Sequence, residues 1–169
     1  MQRLILMRHG DAERPHGGTA DFDRALTPEG RSEARAVGRA MADAGYTPDL
    51  ALVSSATRAL QTWQAFAEAC GKARLVEDRS LYLASSARLA AAVKAAAGEG
   101  ETLILVGHNP GMHQFAVHLA RQSGASPHDV RPLYERFPTA SAAVFAIGEE
   151  GDPRFERLFL AKHYRDKVK

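Results

Sequence analysis

Three short apolar runs, LILM at 4–7, LALV at 50–53 and LILV at 103–106, break off into polar residues and give way, directly or after a loop, to stretches of helical period. Runs so short and so uniformly apolar suit strands buried on both faces. Strands alternating with helices imply a largely parallel sheet covered on both sides. The first strand spans Gln2–Arg8, and DLALVSS, ARLVED and ETLILVGH supply the next three. SAAVFAI and RFERLFL are two further candidates, which makes a sheet of about six strands. Between them, Thr27-Pro28-Glu29 opens a helix as cap, preset first residue and acid of the first turn. Ala34, Val37 and Met41 share its apolar face, and Arg31, Arg35 and Arg39 its solvated one. A second helix aligns Ala59, Trp63, Phe66, Ala67 and Cys70; the Ala-rich SARLAAAVKAAAGEG is a third; Asn109-Pro110 caps a fourth that carries Met112, Phe115, Ala116 and Leu119.

A length of 169 residues suits one domain, 1–169, with a proper core. One cysteine, Cys70, excludes an internal disulfide and reads as a buried structural thiol. A net charge of +2 with no Lys/Arg-rich arm excludes a dedicated nucleic-acid binder, and no apolar run approaches a membrane span or signal peptide. The expected location is cytoplasmic, with neither nucleic acid nor membrane as partner. The basic tail KHYRDKVK reads as a frayed terminus.

In open α/β sheets ligands bind beyond the carboxyl ends of the strands. Here those ends carry Arg8 and His9; Ser54 and Ser55, with Arg58 one turn into the next helix; and His108 with Asn109. Singly, each histidine reads as a structural residue and each arginine as a surface one. Together they suit a phosphoryl group. Arginine offers it paired donors, helix N-termini offer free N–H groups, and a neutral imidazole offers a nucleophile. Gly10 lets the backbone turn and pass closely at the end of the first strand. The aperiodic stretch GDAERPHGGTADFDRAL is long enough to be functional.

LILMRHGDA, LTPEGRSEA, SSATRALQT and VGHNPG, in that order, resemble the histidine phosphatase (phosphoglycerate mutase-like) superfamily, and the short form resembles its SixA-type phosphohistidine phosphatase branch. The resemblance runs from Leu4 to the final strand. It implies a three-layer α/β/α sandwich with one antiparallel strand near the sheet edge. It also implies a mechanism without metal or cofactor: His9 attacks phosphorus, water later hydrolyses the phosphohistidine, and Arg8, Arg58 and His108 bind the phosphoryl oxygens. The expected catalytic residues are therefore His9, Arg8, Arg58 and His108, the last three also binding phosphate, with phosphate as product.

The chain departs from mutase-like and phosphomonoesterase members at one point. Where they place a glutamate acid after the third strand, this chain reads LYLASS, with Leu83 at that position. Glu77, Asp78 and Asp11 are the nearby substitutes, Asp11 reading better as a loop-ordering acceptor. An alkoxide leaving group needs a proton donor, whereas imidazole leaves readily, its cation having a pKa of ~6.5. That difference, and the lack of long insertions around the site, favour a phosphorylated protein, such as a histidine phosphotransfer domain, as substrate. A general phosphomonoesterase acting on small phosphate esters or phosphoserine/threonine is the alternative, and a non-catalytic phosphate-binding module a further one.

Other phosphatase chemistries fit poorly. Val76, not arginine, stands six residues after Cys70, and the Asp21-x-Asp23 pair follows GGTA rather than a strand, so Asp23 and Arg24 read as loop-ordering residues. His108, His113 and His118 are spaced by five, which does not keep helical histidines on one face, so no metal site is expected. His16, His128 and His163 carry no motif.

Overall fold

The computed structural model describes residues 1–165. Six strands, β1 (Arg3–Arg8), β2 (Leu50–Ser54), β3 (Arg74–Asp78), β4 (Thr102–Gly107), β5 (Ala142–Ile147) and β6 (Pro153–Phe159), form one sheet in the order β3-β2-β4-β1-β5-β6. The pairs β2·β3, β2·β4 and β1·β4 are parallel. β5 runs antiparallel to both β1 and β6, which makes it the one reversed strand, next to the edge as expected. The helices are α1 (Pro28–Asp43), α2 (Thr57–Cys70), α3 (Ser86–Ala96), α4 (Gly111–Gln122) and α5 (Pro127–Glu135).

Side-chain alternation along the buried strands divides the core in two. Leu4, Leu6, Leu52, Leu103, Leu105 and Phe145 face one side and pack with α3, α4 and α5. Ile5, Met7, Val53, Ile104, Val106 and Val144 face the other, against α1 and α2. The three layers follow from that alternation. The α1–α2 contact is close because Gly38 sits against the Phe66 main chain, where an added Cβ would lie 2.6 Å from the carbonyl oxygen. Cys70 donates to the Gly38 carbonyl at 3.0 Å, and burial pushes its thiol up to about 11, so it behaves as the structural thiol foreseen.

Three sequence expectations need correction. α5 was not foreseen; it is only 9 residues long and holds two prolines, Pro127 in its first turn and Pro132 inside. Asn109 does not cap α4, because its amide turns away to the Phe137 carbonyl. The tail is not frayed where it is described: Ala161–His163 form a 3-10 turn and Arg165 pairs with Glu29 and the buried Glu33, while 166–169 lie outside the described residues. No described helix is long and apolar enough to cross a membrane.

Candidate active site

β1 and β4 are neighbours in register, Arg8 beside Gly107, so the residues that follow each strand emerge together. His9 and His108 meet with ring centroids 5.1 Å apart. Arg58, in the first turn of α2, reaches them from the next strand over, its Nε donating to His9 Nε2 at 3.3 Å. His9, Arg58 and His108 are all buried. Arg8 joins from the same strand as His9, held through Nη1 to the Phe137 carbonyl at 3.1 Å. The four residues singled out in the sequence thus gather at one end of the sheet.

The state of His9 follows from its neighbours. Its Nδ1 lies 2.7 Å from the Gly10 carbonyl, which can only accept, so Nδ1 carries the proton and the neutral ring leaves Nε2 bare. Burial, reinforced by the charges of Arg58 and Arg8 against the Gly10 bond, lowers its pKa to about 4. Burial likewise lowers His108 to about 3, with His9 and Arg58 adding to the effect. Both rings are neutral at physiological pH. Gly10 fills the role of close approach: an added Cβ would sit 2.7 Å from the Gly30 carbonyl oxygen, where α1 begins. Its N–H donates to Thr62, a turn further along α2 than Arg58.

Several buried polar atoms at this end find no partner among the described residues: Arg8 Nε, His108 Nδ1, Asn109 Oδ1 and Ser141 Oγ. Buried polar groups are normally paired, and an unpaired cluster marks a place where a polar ligand belongs. The helices agree. α1, α3 and α5 begin with side-chain caps from Thr27, Ser85 and Ser126, whereas α2 and α4, which start beside Arg58 and His108, have none. The Ala59 and Met112 N–H groups turn back to the Ala56 and His108 carbonyls, and the other N–H groups of these first turns have no side-chain cap to compete with an anion. Two arginines, the His108 ring and two helix starts without side-chain caps supply donors suited to a phosphoryl group, with the bare Nε2 of His9 beside them.

The comparisons bear on that chemistry. The model of the histidine phosphatase superfamily (branch 1) matches residues 4–82. The crystal structure of the "putative phosphohistidine phosphatase SixA" of Agrobacterium tumefaciens superposes with a TM-score of 0.81 at 31% identity, over 94% of this chain and 98% of that one. This chain belongs to the histidine phosphatase superfamily. Within the superfamily it is of the SixA type, and it is a phosphatase. An uncharacterized protein of Mycobacterium tuberculosis is 34% identical over 83% of this chain and 87% of its own length. A 2,3-bisphosphoglycerate-dependent phosphoglycerate mutase of Novosphingobium aromaticivorans is 38% identical, over only 49% of this chain and 37% of its own length.

The substitutes for the absent glutamate stand elsewhere in this phosphatase. Leu83 is exposed. Asp78 accepts from Ser80 and Arg88, and Asp11 accepts from Thr27 at 3.0 Å, the loop-ordering role foreseen for it. Asp11 acts on Arg8 through its charge alone, whereas Asp21 is bonded to Arg58 at 3.1 Å; the sequence assigned loop ordering to Asp23 and Arg24 instead. Arg24 takes part, through Asp21 and the Glu13 carbonyl. Tyr82 was also missed. It stands edge-on to His108 at 5.4 Å and donates its hydroxyl to Asp21. Ser54, noted at its strand end, lies 2.8 Å from His108 Nε2. His113 is turned to the Leu133 carbonyl at 2.7 Å, away from this cluster.

Proposed function

We propose that this phosphatase removes the phosphoryl group from a phosphohistidine carried by another protein, through a phosphohistidine formed on its own His9. The bare Nε2 of His9 attacks phosphorus, the bond to the leaving imidazole breaks, and the imidazole takes a proton from solvent. Water then attacks the phosphorylated His9, releasing inorganic phosphate and restoring the imidazole. Arg8 and Arg58 neutralise charge on the phosphoryl oxygens in both steps. Ser54 accepts from the Ala56 N–H at 3.4 Å and can donate to His108 Nε2. The proton of neutral His108 then sits on the unpartnered Nδ1, as a further donor to the phosphoryl group.

The observation that carries the choice of substrate is the state of Asp21, the carboxylate bonded to Arg58. Hydrogen bonds from Tyr82 and Arg58, with the charges of Arg58 and Arg24, lower Asp21 to about 2, so at neutral pH it has no proton to give. A site without a proton donor suits imidazole, whose cation has a pKa of ~6.5, better than an alkoxide. Exposed residues at the rim, Leu83 and Asp21 among them, suit a substrate borne on a protein surface.

The test is kcat/KM for a phosphohistidine-bearing phosphotransfer domain against that for p-nitrophenyl phosphate, with His9→Ala as blank. A preference for the phosphoprotein supports the proposal. Equal or better turnover of the ester makes the protein a broad phosphomonoesterase. Phosphate binding without turnover of either makes it a binding module.

A further inference from the structure

Asp21 lies outside the phosphate motifs of the sequence, yet it is the most heavily bonded acid at the site. Its main-chain carbonyl accepts from Arg58 Nη1 at 2.6 Å and its Oδ2 from Arg58 Nη2 at 3.1 Å. Tyr82 donates to the same Oδ2, and Arg24 Nε to Oδ1 at 3.0 Å. Both bonds from Arg58 use the outer edge of its guanidinium. The inner edge, Nε–H with the second hydrogen of Nη2, is left facing His9, whose Nε2 is 3.3 Å from Nε. Tyr82 is itself fixed, edge-on to His108 at 5.4 Å and to Phe22 at 5.0 Å, with Arg58 over its ring at 5.7 Å.

We propose that Asp21 is the positioning residue of Arg58, and that Tyr82 locks Asp21 in place so that the inner guanidinium edge meets the phosphoryl group over His9. This rests on the reading of Arg58 as a phosphoryl-binding residue. A guanidinium held along one edge keeps its other edge as a fixed pair of parallel donors, which suits two phosphoryl oxygens. Held this way, Arg58 lies ready before the substrate arrives and needs no reorganisation during the reaction. Tyr82 is not the missing proton donor. Its hydroxyl hydrogen is committed to Asp21, and that bond raises its pKa, which makes the phenol a poorer acid toward a leaving group.

The experiment compares wild type, Arg58→Ala, Asp21→Asn, Tyr82→Phe and the Asp21→Asn/Arg58→Ala double variant, each first checked for an unchanged Tm. Two aryl phosphates serve as substrates, one with a good leaving group and one with a poor one. Arg58→Ala should lower kcat/KM by about 10²–10³-fold, and Asp21→Asn by about 10²-fold. In the double variant the Asp21 change should add nothing to the Arg58 loss, as positioning through a single partner requires. Tyr82→Phe should cost about tenfold, equally for both substrates. Additive losses, or a silent Asp21→Asn, overturn the positioning role while leaving Arg58 in its place. A Tyr82→Phe loss concentrated on the poor leaving group makes Tyr82 a proton donor and overturns its role as a lock. A silent Arg58→Ala strikes the underlying reading of Arg58 itself.

Discussion

The two ends of the sheet are built on opposite terms. At the amino end Asp49, just before β2, accepts from the N–H groups of Glu101 and Thr102, each at 3.1 Å, and its own N–H donates to the Thr102 carbonyl. The Gln2 and Arg3 N–H groups both go to the Glu101 carbonyl, and Gly100 leaves room for the Asp49 carboxylate, which would stand 2.3 Å from any Cβ there. At the carboxyl end Arg8 Nε, His108 Nδ1, Asn109 Oδ1 and Ser141 Oγ are buried and unpaired among the described residues, and two imidazoles are held neutral. One end satisfies its polar groups within the chain. The other leaves them for a ligand and accepts the cost in stability.

The comparison predicts that variants at the two ends fail differently. His9→Ala should show the largest effect, a fall in kcat of at least about 10³-fold, with phosphate still bound and Tm within about 2–4 °C of wild type. Residual activity within about tenfold of wild type removes His9 as nucleophile and breaks the comparison at its centre. Next is pH. Histidine ordinarily titrates near 6.5, and in the folded chain His9 and His108 do so at about 4 and about 3. Between those values the unfolded chain binds more protons, so stability is full above about pH 6.5 and falls as the pH drops toward 4. Tm followed from pH 8 to 4 should show that decline, less steeply in His9→Ala; a flat profile would place neither ring in a desolvated site. The smallest effect belongs to the other end. Asp49→Ala removes an exposed acceptor of backbone N–H groups and should cost about 1 kcal/mol, or about 2–4 °C in Tm, with kcat unchanged. Loss of activity at constant Tm would show that the ends are not separate.

The sequence disclosed what depends on local pattern. The buried strands, the capped start of α1, the sheet covered on both faces and the residues at three strand ends all follow from spacing and residue type, while the three-layer sandwich came from the family resemblance. It concealed what depends on approach across the fold. Asp21 and Arg58 are 37 residues apart, Tyr82 and Asp21 are 61 apart, and nothing in either stretch announces the other. The Phe137 carbonyl, which receives both Arg8 and Asn109, is a backbone group and leaves no mark on side-chain composition. α5 was obscured by Pro132, although Val130 and Leu133 anchor it in the core.

The place of β1 inside the sheet sets how the site is held. The His9 N–H is tied to Gly107 at the end of β4, while its carbonyl is tied to Ala140 and the Arg8 N–H to Ser141, in the turn just before β5. Freeing that stretch of backbone means breaking main-chain bonds on both sides of β1. Asp21 sits on an exposed 3-10 turn and is held instead by side chains, those of Arg58, Tyr82 and Arg24. What anchors the imidazole is therefore main chain, and what anchors the guanidinium beside it is a loop, so the two halves of the site answer to different parts of the sequence.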